Sequence, residues 1–526
     1  MLKGFFVAGP FDDGDPVTGH YYETASNDAE RAQVWGYTDR LSYLSGDDLV
    51  IHAISNAPKA RLTIFRDALN PELMFQTEII GGFAETSGDC SVKGCNWPGR
   101  FRVTIPPTWR SGVYTFELSV PGHSSEGMFV VRSAHPQAKI LMLLATGTWC
   151  AYNDWGGSNH YQGLTGPRGD DFAAEVSMHR PWATGFVRWP EDAPRITHAS
   201  PLLRKPEYPH MEYARSNGLS KKYASSGWAA FEKPFALWCE EQGINLDFAT
   251  QHDLHSNSQV ADGYERMVIV GHDEYWTWEM RDHLDTWVDQ GGQLARFAGN
   301  FFWQTRLSDD LTTQVCYKYR APSEDPTCDP RRLTNYWDNP KTCRPAIASM
   351  GLTGSMGVYA GWSRCAANGV GGFILYRPEH WCLTDSGLGY GDVLGRDSRI
   401  FAYEVDGIDY TMRQGLPFPV DGKGLEGELT IVGLSPATTL SHSTGPHDRD
   451  PFIGSLDAEE VALNVYGEVT AETVARAARG NGCMAEYRRG SGAVFNAASC
   501  EWVAGLIARD APVERVTRRV LTGDWS

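Results

Sequence analysis

The strongest constraint on this chain's fold is the unbroken apolar run Ile140-Leu-Met-Leu-Leu-Ala145. A half-exposed strand alternates, whereas a continuous run marks a parallel strand covered on both faces. Shorter runs recur at Leu246–Ala249, Met267–Val270 and Leu294–Ala298. Helical patterns lie between them. One spans Phe231 to Gly243, and another places Met280, Leu284, Trp287 and Val288 at i, i+4, i+7 and i+8. Thr277 is the expected N-cap of that second helix, and Gly291-Gly292 its stop. Gly490-Ser-Gly-Ala-Val-Phe-Asn496 and Glu501-Trp-Val-Ala-Gly-Leu506 read as a late strand and helix. Strands alternating with helices at this spacing predict a doubly wound α/β domain with a mostly parallel sheet.

Upstream the pattern differs. Between about residues 35 and 133, short and partly alternating segments (Asp48–Ile54, Ala60–Phe65, Arg100–Ile105, Val113–Leu118) are separated by Gly, Pro, Asn and Asp. Strands so close, without helices, predict an all-β immunoglobulin-like sandwich. The expected division is therefore a β-sandwich domain at 1–135 and an α/β catalytic domain with long insertions at 136–526. A chain of 526 residues is too long for one core.

Charge and composition narrow the function. A net charge of −18 argues against nucleic-acid binding, which needs a basic face. No apolar stretch approaches the roughly 20 residues of a membrane span, and the Gly-broken N-terminus does not read as a signal peptide. The cysteines number eleven and form no CxxC pair. Cys90 with Cys95, or two of Cys316, Cys328 and Cys343, are the pairs with bridging distance in sequence. Mostly free thiols in a cytoplasmic protein are expected.

Polar clusters follow three of the expected parallel strands. The first is Cys150 to Tyr161, containing Tyr152, Asn153, Asp154, His160 and Tyr161; the second is Gly271-His-Asp-Glu-Tyr-Trp276; the third is Gly299-Asn300. Open α/β sheets bind ligands at the carboxyl edge, so topology alone predicts that these clusters make a site. A strand-to-helix turn needs only Gly and a cap, and His272, Asp273 and Glu274 exceed that need. The turn offers no hydroxyl or thiol nucleophile. An imidazole and carboxylates suit general acid–base work or metal ligation. A covalent route through Cys150, the cysteine nearest that edge, is the first alternative; a non-catalytic carbohydrate-binding protein is the second. His252 and His255 form HxxH, a weak zinc pattern that reads as structural.

The residues resemble the large (beta) subunit of N,N-dimethylformamidase. The resemblance rests on Gly36-Tyr-Thr-Asp-Arg-Leu-Ser42, Ile105-Pro-Pro-Thr-Trp-Arg-Ser-Gly-Val-Tyr114, the loop from Tyr152 to Tyr161, Gly271–Trp276, Gly299-Asn300 and Gly492–Asn496. It implies a glutamine-amidotransferase-like α/β domain and an amidohydrolase with one ferric iron held by two phenolates and a glutamate. By motif, Glu274 is the carboxylate ligand, Tyr152 one phenolate and Tyr161 the other, with Tyr208 and Tyr213 as rivals. His272, Asn300 and Glu404 (in Phe401-Ala-Tyr-Glu-Val-Asp406) take catalytic roles, Glu404 as general base. The expected partners are a small amide substrate, a small subunit and further copies of the chain. The long segment 195–228 is expected to reshape the pocket.

Overall fold

The computed structural model describes residues 4–10, 12–165, 171–195, 209–357, 371–402, 404–420, 424–437 and 455–525. The chain divides into two compact units. One comprises residues 1–195, 208–263 and 306–317; the other comprises 196–207, 264–305 and 318–526.

In the first unit, seven strands carry the N-terminal part: β1 (Val34–Thr38), β2 (Ser42–Leu44), β3 (Asp48–Arg66), β4 (Glu72–Gly82), β5 (Gly99–Thr104), β6 (Gly112–Val120) and β7 (His123–Arg132). The segments expected as two separate strands, Asp48–Ile54 and Ala60–Phe65, are one continuous strand of 19 residues. Its first part pairs with β1 and β5, and its second with β4 and β6. Hydrogen bonding through β3 thus joins all seven strands into a single sheet, in place of the two separate sheets of the expected sandwich. Inward positions on these strands build an apolar core that includes Leu49, Ile51, Leu62, Ile64, Phe116 and Leu118. The same unit then holds β8 (Ile140–Leu144), α1 (Thr146–Tyr152), α2 (Glu232–Glu241) and β9 (Leu246–Thr250). β8 and β9 run parallel, and every residue of β8 is buried, as its apolar run requires.

The second unit is built on β10 (Arg266–His272), α3 (Trp278–Asp289), β11 (Gln293–Gly299), β12 (Phe373–Leu375), β13 (Val393–Leu394), β14 (Glu428–Pro436), β15 (Asn481–Arg489), β16 (Gly492–Asn496) and α4 (Trp502–Ile507). The strand order is β10-β11-β16-β15-β14-β12-β13. β10, β11 and β16 are parallel, whereas β15, β14, β12 and β13 each run antiparallel to the strand before. This corrects the expected doubly wound, mostly parallel fold: strand outweighs helix, 32% to 22%, and the sheets are mixed. The reason lies in the connections. β10 and its parallel neighbour β11 are joined through the crossover helix α3, whereas β15 returns to β16 through the tight turn at Gly490-Ser491. So short a link can join only antiparallel neighbours.

The helix between β10 and β11 follows its sequence closely. The Thr277 side chain accepts from the Met280 N–H at 3.1 Å, and Met280, Leu284, Trp287 and Val288 are its buried face. Among the described residues, no helix is long and apolar enough to cross a membrane.

Candidate functional site

β10 ends in His272, and the parallel register sets His272 beside Gly299, the last residue of β11. Asn300 follows immediately. The third parallel strand, β16, ends at Asn496, and the residues just beyond it hold the segment that carries Glu404. Cys500 N–H donates to the Glu404 carbonyl at 3.2 Å, and Asp406 N–H to the Ala498 carbonyl at 2.9 Å. Three adjacent strand ends thereby bring His272, Glu274, Asn300 and Glu404 together, all buried. Gly299 is required by this approach: a Cβ there would lie 2.4 Å from the Glu404 carbonyl oxygen. Asn300 and Glu404 both sit at positive φ, 64° and 65°. Asn tolerates that region, whereas for Glu404 it is an uncommon conformation that the surrounding hydrogen bonds must hold.

The side chains converge on one ring nitrogen. His272 Nε2 lies 2.9 Å from Glu404 Oε2 and 3.3 Å from Glu274 Oε2. The Asn300 amide lies 3.2 Å from the same nitrogen and donates to Glu404 Oε2. Burial alone would pull the His272 pKa down, but hydrogen bonds to the two carboxylates outweigh it and hold the pKa up at about 10. Burial raises the pKa of Glu404; the bond from His272 opposes this and the Glu274 charge adds to it. Among the described residues, His272, Glu274 and Glu404 form the group whose potential metal-ligand atoms lie within 4.8 Å of one another.

Beneath this cluster lies a buried ion triad. Arg296, on β11, donates from Nε to Asp273 Oδ2 at 2.9 Å and from Nη1 to Asp406 Oδ2. Asp273 also accepts from Trp276 Nε1 at 2.7 Å, and Asp406 from the Phe301 N–H at 3.0 Å. Burial lifts the Asp273 pKa to about 6 against the opposing pull of Arg296. Neither Arg296 nor Asp406 was among the residues singled out from the sequence. The available signal was an arginine inside the apolar strand Leu-Ala-Arg-Phe-Ala, where a charge needs a buried partner.

The tyrosines belong to the first unit. Tyr152 ends α1, and Tyr161 follows in the same loop; their ring centroids lie 4.4 Å apart. Lys222 Nζ, also missed by the sequence reading, stands 4.9 Å from the Tyr161 centroid and 5.4 Å from that of Tyr152. The Tyr213 hydroxyl donates to the Glu191 carbonyl at 2.9 Å, a structural role. Tyr208 lies outside the described residues.

Two competing readings lose ground on geometry. Cys150 is buried within α1, and burial pushes its pKa up to about 12, so the nucleophilic thiolate is scarce. His252 is buried with Nδ1 2.7 Å from Thr146 Oγ1, and burial pulls its pKa down to about 3. The described cysteines are free thiols, Cys90 and Cys95 included.

No curated protein matches the chain. Among solved structures, a calcium-binding mutant of Bacteroides uniformis beta-glucuronidase 2 is 12% identical, with 51% of this chain and 23% of that chain covered at a TM-score of 0.13. A likeness that slight carries no argument. The profile of the family described as N,N-dimethylformamidase beta subunit-like, C-terminal, matches residues 81–514, a span that includes His272, Glu274, Asn300 and Glu404. The chain belongs to the N,N-dimethylformamidase beta subunit-like, C-terminal family.

Proposed function

We propose that this protein is an iron-dependent amidohydrolase. It cleaves the C–N bond of small N-substituted amides, N,N-dimethylformamide-like, to a carboxylic acid and an amine. The observation that carries this reading is the buried convergence of His272, Glu274, Asn300 and Glu404 on a family whose name is that of an amidase.

The ligand set that the family resemblance implies, one carboxylate and two phenolates, consists of hard anionic oxygens that suit a ferric ion; its carboxylate, Glu274, lies in the buried group with His272 and Glu404. Glu274 is the residue common to the geometric group and the family-based set, so we assign it as a ligand. By the family resemblance Tyr152 and Tyr161 are the proposed phenolates, and Lys222 Nζ stands beside both rings. Bound iron would act as a Lewis acid that polarises the amide carbonyl and acidifies water.

The chain's own groups then divide the proton work. Glu404 accepts the proton of the attacking water as its oxygen bonds to the carbonyl carbon. Glu404 returns that proton to the amine nitrogen as the C–N bond breaks. Asn300 donates its amide N–H toward the oxygen on which negative charge develops. His272 holds the two carboxylates in register through Nε2. By the family's name the chain resembles a beta subunit, and we extend the proposal to a small partner subunit and further copies of the chain.

The test is metal analysis and a visible spectrum of the purified protein, beside an assay on N,N-dimethylformamide. About one iron per chain, with a tyrosinate charge-transfer band lost in Tyr152→Phe, is the expected result. An iron-free, colourless protein that still hydrolyses the amide would overturn the metal assignment.

A further inference from the structure

We infer that Arg296 is a positioning residue for the proposed hydrolysis: through Asp273 and Asp406 it holds the turns bearing His272, Glu274, Asn300 and Glu404 at fixed spacing. The inference rests on the amidohydrolase reading for its chemistry, but its geometry stands independently.

Each tie ends beside a site residue. Asp273 lies between His272 and Glu274, so the Arg296 Nε bond anchors the turn after β10. Asp406 is two residues past Glu404, and the Nη1 bond anchors that segment. The other Asp406 oxygen accepts from the N–H of Phe301, the residue after Asn300, which closes the connection to the turn after β11. Nη1 also donates to the Ala298 carbonyl at 3.1 Å, fixing the guanidinium against its own strand. One planar group therefore ties together all three turns.

Stability alone does not call for this arrangement. Arg296, Asp273 and Asp406 have fully buried side chains, and burying two carboxylates and one guanidinium is expensive. Apolar residues of similar volume commonly replace such triads at no loss of stability. What they cannot supply is directional anchoring. The site needs it, because Glu404 occupies a backbone conformation that is not preferred by itself. A lysine would keep the charge but lacks the fork that addresses two carboxylates from opposite edges.

The decisive variant is Arg296→Lys, read by thermal midpoint, by kcat and KM on N,N-dimethylformamide, and by a crystal structure. The expected result is a folded protein with kcat reduced roughly 10²-fold and KM within about threefold of wild type. In its crystal structure the His272–Glu404 separation, 2.9 Å in the wild type, grows by about 1 Å. A folded variant with wild-type kcat and the His272–Asn300–Glu404 bonds unchanged would overturn the inference. If the wild-type protein hydrolyses no amide, the functional reading falls while the crystal structure still decides the role of Arg296. If Arg296→Lys does not fold, Asp273→Asn replaces it: that change removes the carboxylate charge, leaves one oxygen for the two donors Arg296 Nε and Trp276 Nε1 and keeps the Asp406 ties, and the same readouts apply.

Discussion

Glu274 and Glu404 share one imidazole, yet their substitutions should separate them. Glu274→Ala removes an assigned ligand, so bound iron should fall well below one per chain, with activity lost alongside; metal analysis checks it. Glu404→Gln keeps the size and a hydrogen-bonding oxygen but cannot take a proton. Iron content should stay at the wild-type value while kcat falls by about 10²- to 10⁴-fold, the usual worth of a general base. Equal iron loss in both variants would reassign Glu404 as a ligand. Cys150 gives the opposing control. Its thiol is buried and held protonated, so Cys150→Ser should retain activity within about threefold, and iodoacetamide should not inactivate the native enzyme. At this scale the sequence was informative where chemistry is local: Gly-His-Asp-Glu-Tyr-Trp carries more ionisable groups than a turn needs, and two of them, His272 and Glu274, lie in the buried group with Glu404. Arg296 and Lys222 escaped notice because their meaning depends on partners remote in sequence, Asp406 and the tyrosine pair.

Among elements, the β10–α3–β11 crossover presents the ends of two strands to the site, and its cap and its close approach are both open to measurement. Thr277→Ala deletes the side-chain acceptor of the Met280 N–H. It should cost about 1 kcal/mol of stability by denaturant unfolding, with little change in kcat. Gly299→Ala is different in kind, because its Cβ would press on the Glu404 carbonyl. We expect about 2 kcal/mol of destabilisation together with a fall in kcat that exceeds that of Thr277→Ala. This crossover was legible because buried parallel strands write continuous apolar runs and its helix writes a regular apolar stripe. β15 was not, because Asn481-Gly-Cys-Met-Ala-Glu-Tyr-Arg-Arg489 has neither an unbroken apolar run nor clean alternation. Its burial is conferred by its neighbours β14 and β16, which sequence periodicity cannot register.

For the molecule as a whole, pH should act on stability through Glu23. This residue lies in the strand Tyr21–Glu23, and its carboxylate accepts from the Thr184 N–H at 3.0 Å and hydroxyl at 2.9 Å. Burial outweighs those bonds and lifts its pKa from 4.5 to about 7. The folded state thus holds the proton more tightly than the unfolded chain. Stability from this group is fully present below pH 4.5 and is lost as pH rises through about 7. The loss approaches about 3 kcal/mol. His20, whose pKa burial pulls down to about 4, acts in the opposite direction. The wild type minus Glu23→Gln difference in unfolding free energy between pH 5 and pH 8 therefore isolates Glu23, and a flat difference would refute its role. The sequence by itself determined the apolar cores of four strands, at 140–145, 246–249, 267–270 and 294–298, the helix capped by Thr277, the family and the polar groups of the β10 turn. These follow from short-range rules: which residues tolerate burial on both faces, and which side chains satisfy a helix end. Only the tertiary structure decided that β3 runs unbroken through one sheet and that the second unit's sheet is mixed. It alone set Glu404 and Asp406 beside a histidine and an arginine more than a hundred residues earlier in the chain. Strand direction and remote ion pairs depend on which connections are short enough to turn back and which buried charges find partners, and neither leaves a periodic trace along the chain.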